Sequence, residues 1–174
     1  AMFEITEGNV SLVHKNDRLE KHGEADVLAC DLNFQWETDN GALAMFAPEL
    51  RSLLYKKQDS QGELIDDPQH LTALRFPSLA PLKWTTGDLI GAKLLFHVGV
   101  SDKSNVLLDD VKVGKYRIEA KEGGTVVISF QEQCKPDEKQ SGKLSRFLTD
   151  KLCTITLEPP PVPADLTEGG HGSD

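Results

Sequence analysis

The chain has 174 residues, of which 39% are hydrophobic and 27% charged, so it has room for one globular domain with a core and hardly for two. Its formal net charge of −9 disfavours nonspecific attraction to nucleic acid or to an anionic membrane surface. The charge is uneven, since residues 1–157 hold 19 basic and 24 acidic side chains, a net −5, and residues 158–174 carry −4. Residues 111–157 hold nine basic and six acidic side chains, so a local patch there can still meet phosphate.

The first part of the chain is predicted to be extended. Residues 3–15 have an extended pattern with a break at Gly8-Asn9, and the charged residues 16–24 predict a loop that ends near Gly23. A strand is predicted next because apolar residues alternate with polar ones over 28–37. Its apolar positions are Leu28, Cys30, Leu32, Phe34 and Trp36.

Helical and irregular structure is predicted after that strand. Asp39-Asn40-Gly41 ends the strand, and residues 42–46 are predicted to form a helical turn. Pro48 suits the first position of a helix through Tyr55. The polar residues 56–70 predict a long loop, a kind of segment that is often functional or mobile.

The next strands are short. Residues 71–76 predict a strand that ends at Pro77, and Pro81 keeps the segment before Trp84 short. Residues 94–100 alternate again and predict a strand that leads into a run of antiparallel strands.

Residues 106–133 carry the clearest pattern in the chain. Tyr116, Ile118 and Ala120 alternate with charged residues, and Glu122-Gly123-Gly124 predicts a tight turn. The alternation then resumes through Val126, Ile128 and Phe130. This segment therefore predicts a β-hairpin with one face in a core and one charged face in water.

Residues 138–150 predict one helix, and residues 152–157 predict a final strand. The expected domains are thus a β-rich globular domain over 2–157 and a proline-rich, acidic, disordered tail over 158–174. The fold class predicted from these elements is mainly β, an antiparallel β-sandwich or partly open barrel with two short helices.

The cysteines and termini point to a cytoplasmic protein. Cys30, Cys134 and Cys153 are odd in number and widely spaced, which favours reduced buried thiols over a disulfide framework or a zinc site. No secretion signal or apolar run of membrane-spanning length is visible, and no motif indicates a cofactor.

One constellation has the outline of a metal-dependent nuclease site. Asp109 or Asp110, followed by Glu119 and Lys121, supplies carboxylates for a divalent ion and a lysine to orient water. Charged residues that alternate on an exposed hairpin give the same outline without any function, and this second interpretation is favoured.

A second constellation suits nucleic acid. The candidate binding residues are Lys112, Lys115, Tyr116, Arg117 and Lys121, and Lys139, Lys143, Arg146 and Lys151 follow. Such residues can follow a strand backbone with an aromatic ring as stacking platform, while the alternative is a solvated face balanced by nearby acids. A β-domain with a flexible acidic tail has the layout of single-strand DNA-binding proteins, although this tail lacks their apolar tip and a plain unstructured terminus stays the simpler interpretation.

Four segments resemble a family of tailed-bacteriophage and prophage proteins of unassigned function. These are NDRLEKHGEADVLACDLNF, ELIDDPQHLTALRFPSLAPLKW, KSNVLLDDVKVGKYRIEAKEGGTVVISFQ and GKLSRFLTDKLCTITL. The resemblance spans residues 3–157 and carries over no functional residue. It implies a phage or prophage protein in the bacterial cytoplasm, of a kind that serves phage DNA metabolism or counters host defences.

The resulting expectation is a binding protein without catalytic residues, metal or cofactor. The first hypothesis is an accessory of phage DNA replication or recombination that binds single-stranded DNA or its protein machinery. The alternatives are an inhibitor of a host anti-phage defence that binds a host protein or a signalling nucleotide, and a metal-dependent nuclease. No membrane partner is expected, and exposed strand edges are compatible with a homo-dimer.

Overall fold

The computed structural model describes residues 2–58, 70–99 and 104–161. The described strands are β1 Ile5–His22, β2 Ala25–Asp39, β3 Tyr55–Lys57, β4 Leu71–Leu74, β5 Leu82–Trp84, β6 Leu89–His97, β7 Val106–Ala120, β8 Thr125–Cys134 and β9 Cys153–Glu158. The helices are a 3₁₀-helix, Asn40–Met45, and the α-helices α1 Leu50–Leu54 and α2 Glu138–Phe147.

Six of the strands close into an antiparallel barrel. The order around the barrel is β1-β2-β8-β7-β6-β9, with β9 paired back to β1, and β5 adds an extra strand beside β7. The predicted mainly antiparallel β fold is confirmed. Of the two predicted architectures the barrel is the one found, and the sheet is closed where we expected it partly open.

Strand β7 closes the barrel because its two halves have different neighbours. Its first half pairs with β6, and its second half pairs with β8 on one side and β5 on the other. Register shifts accompany this change, and Asp110 and Lys115 adopt left-handed φ values of 55° and 53°. Bulges of this kind bend a strand and increase its twist, which barrel closure requires.

The predicted hairpin is confirmed as β7, a turn and β8. Tyr116, Ile118, Val126, Ile128 and Phe130 are all buried, and the charged side chains between them face outward. These residues join inward-facing residues of the other strands in one core.

The loop predicted over residues 16–24 is wrong. Strand β1 continues to His22 and β2 starts at Ala25, so the two strands form a hairpin that turns at Gly23. We call residues 15–31 the arm. Its outer part runs past the end of β8, which pairs with β2 only as far as Cys30, so the arm has little core to face. Backbone hydrogen bonds between the two strands hold this segment extended. Its residues lack the alternation of apolar and polar side chains that predicts a strand from sequence.

Short elements cover the two opposite ends of β7. At the β7–β8 turn, the Tyr55 hydroxyl accepts a hydrogen bond from the Lys121 amide at 3.0 Å, and the Asn40 amide nitrogen donates to the Leu71 carbonyl at 2.6 Å. At the other end, Phe147 of α2 stacks on Phe96 with ring centroids 4.8 Å apart. The barrel is therefore packed at both ends.

The remaining predictions match approximately. The helix predicted from Pro48 is α1, but Tyr55 belongs to β3, and the helix predicted to residue 150 ends at Phe147. Residues 59–69 of the predicted loop and residues 162–174 of the predicted tail lie outside the described residues. In the part of the chain that the structure describes, no helix has the length and apolar character needed to span a membrane.

Candidate nucleic-acid interface

Three of the predicted binding residues project from the outer face of β7. Lys112, Lys115 and Arg117 are all exposed, while the neighbouring Val113 and Tyr116 face the core. Strict alternation would separate the even-numbered Lys112 from the odd-numbered Arg117. The bulge at Lys115 shifts the alternation by one residue, so all three cations face outward.

Uncharged polar side chains flank these cations. Gln133 lies opposite Lys112 and Ser129 lies opposite Arg117 on β8. One strand further, the side-chain nitrogen Nε2 of Gln131 donates to the side-chain oxygen Oδ1 of Asn33 on β2 at 3.0 Å. The face beside the cations thus carries amide and hydroxyl groups that can both donate and accept hydrogen bonds.

The cations and these polar residues line a row of adjoining depressions, which we together call the basic groove. It consists of three adjoining parts of about 280, 60 and 250 Å³, where the first two share Lys115 and Gln131 and the last two share Lys112 and Gln133. Arg18 and Lys135 line its far end. The groove therefore follows β7 and β8 from Arg117 towards the arm.

The cations of the groove differ in their partners. Within the described residues, Lys112, Lys115 and Arg117 make no ion pair. Arg18, in contrast, pairs with Asp31 at 3.1 Å and also with Glu20, and these carboxylates raise the pKa of its guanidinium. The positive potential available to a ligand thus comes from β7 and Lys135 more than from Arg18.

Three carboxylates line the groove beside its cations, Asp88 in the middle part and Glu20 and Asp110 in the far part. A Cβ atom placed on Gly114 would lie 2.7 Å from Asp88 Oδ1, so the Asp88 carboxylate rests directly on β7 between Lys112 and Lys115. Only a glycine allows this approach. Asp88 therefore divides the basic face locally without pairing with either lysine.

Two predicted binding residues lie outside the groove. Lys121 is exposed at the β7–β8 turn. Tyr116 is only 2% exposed, its hydroxyl donates to the Gly87 carbonyl at 3.0 Å, and burial raises its pKa. Tyr116 was predicted as a stacking platform, but its ring faces the core and offers no free face to the groove.

A pocket of about 200 Å³ adjoins the groove and was missed by sequence reasoning. Its aromatic wall is formed by Phe3, Phe46, Trp84 and Tyr116. The Phe46 ring lies 5.8 Å from Trp84 and 5.3 Å from Tyr116, both edge to face. Asp88 lines both the pocket and the groove. These rings come from four distant parts of the chain, so no local pattern could have revealed the pocket.

The nuclease constellation is not assembled. Asp109 and Glu119 lie ten positions apart on β7, which at about 3.3 Å per residue separates them by roughly 30 Å along the strand. Among the described residues, no group of three or more His, Cys, Asp and Glu side chains is placed to hold a metal ion.

The second basic cluster is also separate from the groove. Lys139, Lys143 and Arg146 lie on α2 and Lys151 follows it, and none of them lines the groove. The outer face of β7 is thus the place where unpaired cations line a groove together with hydrogen-bonding amides.

Comparison of the chain with known protein families, with curated proteins and with solved structures gives no significant match.

Proposed function

We propose that this chain binds single-stranded nucleic acid along the basic groove, as an accessory of phage DNA replication or recombination. The observation that carries the proposal is the row Lys112, Lys115 and Arg117, which is exposed, free of ion pairs within the described residues and flanked by amide side chains. The phage context is supported by the sequence resemblance alone.

The geometry suits an extended backbone. Lys112 to Arg117 spans about 15 Å at roughly 3.3 Å per residue, which brings a row of cations beside a chain of phosphates. Gln131, Gln133 and Asn33 can bond base edges in several ways, and this favours binding with little sequence preference. Because the net charge is −9, attraction is confined to the groove and weakens as salt increases.

The test is fluorescence anisotropy of a labelled oligothymidylate of about 15 nucleotides, titrated with the full chain at several salt concentrations. Three phosphate contacts on a single strand predict a slope of log K against log salt of about −2, or an affinity loss of about 20-fold between 50 and 200 mM salt. The triple variant Lys112→Ala, Lys115→Ala, Arg117→Ala is expected to lose this slope.

The matched control removes two lysines and one arginine elsewhere, as Lys93→Ala, Lys139→Ala and Arg146→Ala, and leaves the groove intact. Both triples change the net charge equally, so equal losses would contradict a role for the groove. Absence of binding by the unaltered chain at 50 mM salt would contradict the proposed function itself.

The aromatic pocket supports a second candidate, an inhibitor of host defence that captures a signalling nucleotide. A base could lie against Phe46 and Trp84 while its phosphates reach Lys112 or Lys115, since Asp88 borders both sites. Titration with a nucleoside monophosphate should then change tryptophan fluorescence to saturation. Trp84→Leu should remove the change and Trp36→Phe should retain it, whereas no change in the unaltered chain would contradict this candidate.

A further inference from the structure

Two of the three cysteines lie directly opposite each other in the barrel wall. Cys30 of β2 and Cys134 of β8 are register partners on antiparallel strands, and the relative exposures of the two residues are 0% and 3%. The Cys134 thiol donates to the Cys30 carbonyl oxygen at 3.7 Å. The pair is therefore already in contact in the reduced protein.

The strand geometry matches that of a disulfide. Opposed residues of an antiparallel pair have Cα atoms about 4.5–5.5 Å apart. Disulfides join Cα atoms about 4.4–6.8 Å apart, so no backbone shift is needed. We propose that Cys30 and Cys134 form a reversible disulfide, which makes this position an oxidation site of the protein. The inference is independent of nucleic-acid binding.

The surroundings of the pair favour a reactive thiolate on Cys30. Lys15 has a side chain only 5% exposed, and its ammonium group donates to Asp17 at 2.8 Å and to Ser141 of α2 at 3.0 Å. The interaction with Cys134 and the charge of Lys15 lower the pKa of Cys30, against the opposing effects of burial and Asp17. The interaction with Cys30 and burial raise the pKa of Cys134. One thiol of the pair thus ionises more readily than the other.

The oxidant we assign is hydrogen peroxide, a small neutral molecule. A cleft of about 250 Å³ lies beside the pair, where Cys134 and Ala29, the chain neighbour of the buried Cys30, line its wall. The Cys30 thiolate attacks one peroxide oxygen, the O–O bond breaks, and the hydroxide that leaves takes up a proton as water. Cys134 then attacks the sulfur of the Cys30 sulfenic acid, the S–O bond breaks, and the hydroxyl leaves with the Cys134 proton as a second water. In sum, two thiols and one peroxide give one disulfide and two waters.

Cys153 provides an internal control. It lies opposite Val10 on β1 and has no cysteine partner, and burial raises the pKa of its thiol to about 11. Peroxide should therefore oxidise the Cys30–Cys134 pair well before Cys153.

The experiment treats the reduced, folded full chain with hydrogen peroxide and measures intact mass and a non-reducing peptide map. The expected result is a mass loss of about 2 Da, a Cys30–Cys134 cross-link within one chain and recovery of the reduced mass with dithiothreitol. Cys153→Ala should retain the cross-link, and Cys30→Ala or Cys134→Ala should abolish it.

The peptide map of the unaltered chain shows whether Cys30 and Cys134 are cross-linked even if a core alanine variant fails to fold. Oxygen addition at Cys30 or Cys134 without a cross-link would overturn the proposal. A disulfide that involves Cys153 or joins two chains, or thiols that stay reduced while methionines are oxidised, would also overturn it.

Discussion

The arm and the outer face of β7 are both rich in charged side chains. The charged side chains of the arm form ion pairs with one another, whereas the cations of β7 form none with the residues that the structure describes. On the arm, Arg18 binds Asp31 and Glu20, and Lys15 binds Asp17. On β7, Lys112, Lys115 and Arg117 make no ion pair with any described residue. Paired charges on the arm support a hairpin that has little core, whereas the free cations of β7 add nothing evident to the fold. Under the proposed function, these free cations are the ones that bind phosphate.

The barrel interior holds a third kind of charged group, a buried carboxyl group without a hydrogen-bond partner among the described residues. Glu132 of β8 is fully buried, and neither of its carboxyl oxygens accepts a hydrogen bond from a residue that the structure describes. Burial raises the pKa of Glu132 well above its usual value, because the charged form loses its hydration.

Glu132→Met is expected to have the largest effect on stability. Between the unfolded-state pKa near 4.5 and the raised folded-state pKa, the folded chain holds a proton that the unfolded chain has lost. The free energy of unfolding therefore falls as pH rises through this window, by at most about 1.4 kcal/mol per pH unit from this group. Methionine fills similar space without charge and should stabilise the protein by about 1–4 kcal/mol near pH 8.

Urea unfolding from pH 4 to 9 measures both effects. The exposed Glu119 provides the control, since Glu119→Gln should leave the pH dependence unchanged. If the free energy of unfolding of Glu132→Met depended on pH as strongly as that of the unaltered chain, the raised pKa of Glu132 would not be the cause of the pH dependence.

Arg18 can be converted from a paired cation into a free one by removal of its two carboxylate partners. Glu20→Gln with Asp31→Asn leaves Arg18 at the end of the groove without its carboxylate partners. One additional phosphate contact should tighten single-stranded DNA about fivefold at low salt and steepen the salt slope by about 0.7. Anisotropy measures both quantities.

Its control is Glu4→Gln with Glu49→Gln, which changes the net charge equally on exposed residues outside the groove. Equal tightening by both pairs of substitutions would show that net charge, and not the release of Arg18, determines affinity.

The smallest predicted effect concerns Lys115, which adopts a left-handed φ of 53°. Glycine accepts this conformation readily, so Lys115→Gly should keep or raise the free energy of unfolding, by up to about 1 kcal/mol, while it weakens DNA binding. Lys112→Gly, at an ordinary strand position, should weaken binding and also lose about 0.5–1 kcal/mol of stability. If Lys115→Gly destabilised the chain as much as Lys112→Gly does, the bulge would not be strained.

Local patterns predicted the elements with buried faces and failed elsewhere. The β7–β8 hairpin was predictable because Tyr116, Ile118, Val126 and Ile128 alternate strictly with polar residues. The outer arm was not, because its strands bury few side chains and Leu19 is 69% exposed. Barrel closure depends on register shifts within β7 and on pairing of β9 with β1, which no local pattern contains.

The candidate site was predictable only in part. The exposure of Lys115 and Arg117 follows from their alternation with the apolar inner face, but Lys112 shares their face only because of the bulge at Lys115. Their neighbours depend on the register of β2 against β8, about a hundred residues apart in sequence, which places Asn33 beside Gln131. The burial of Tyr116 follows from its place in the apolar alternation, so its ring is not placed to stack on a base in the groove. Lys121 lies outside the groove as well.

The most direct test of whether the unpaired cations of β7, and not the arm, bind nucleic acid is a map of backbone amide NMR shifts. The full chain is titrated with a short oligothymidylate at low salt. The account predicts that shifts concentrate on Lys112 to Arg117 and on Gln131 to Gln133, and that the outer arm around Gly23 stays unchanged. Shifts confined to the arm or to the α2 surface, with none along β7, would contradict the claim that the unpaired cations of β7 form the binding site.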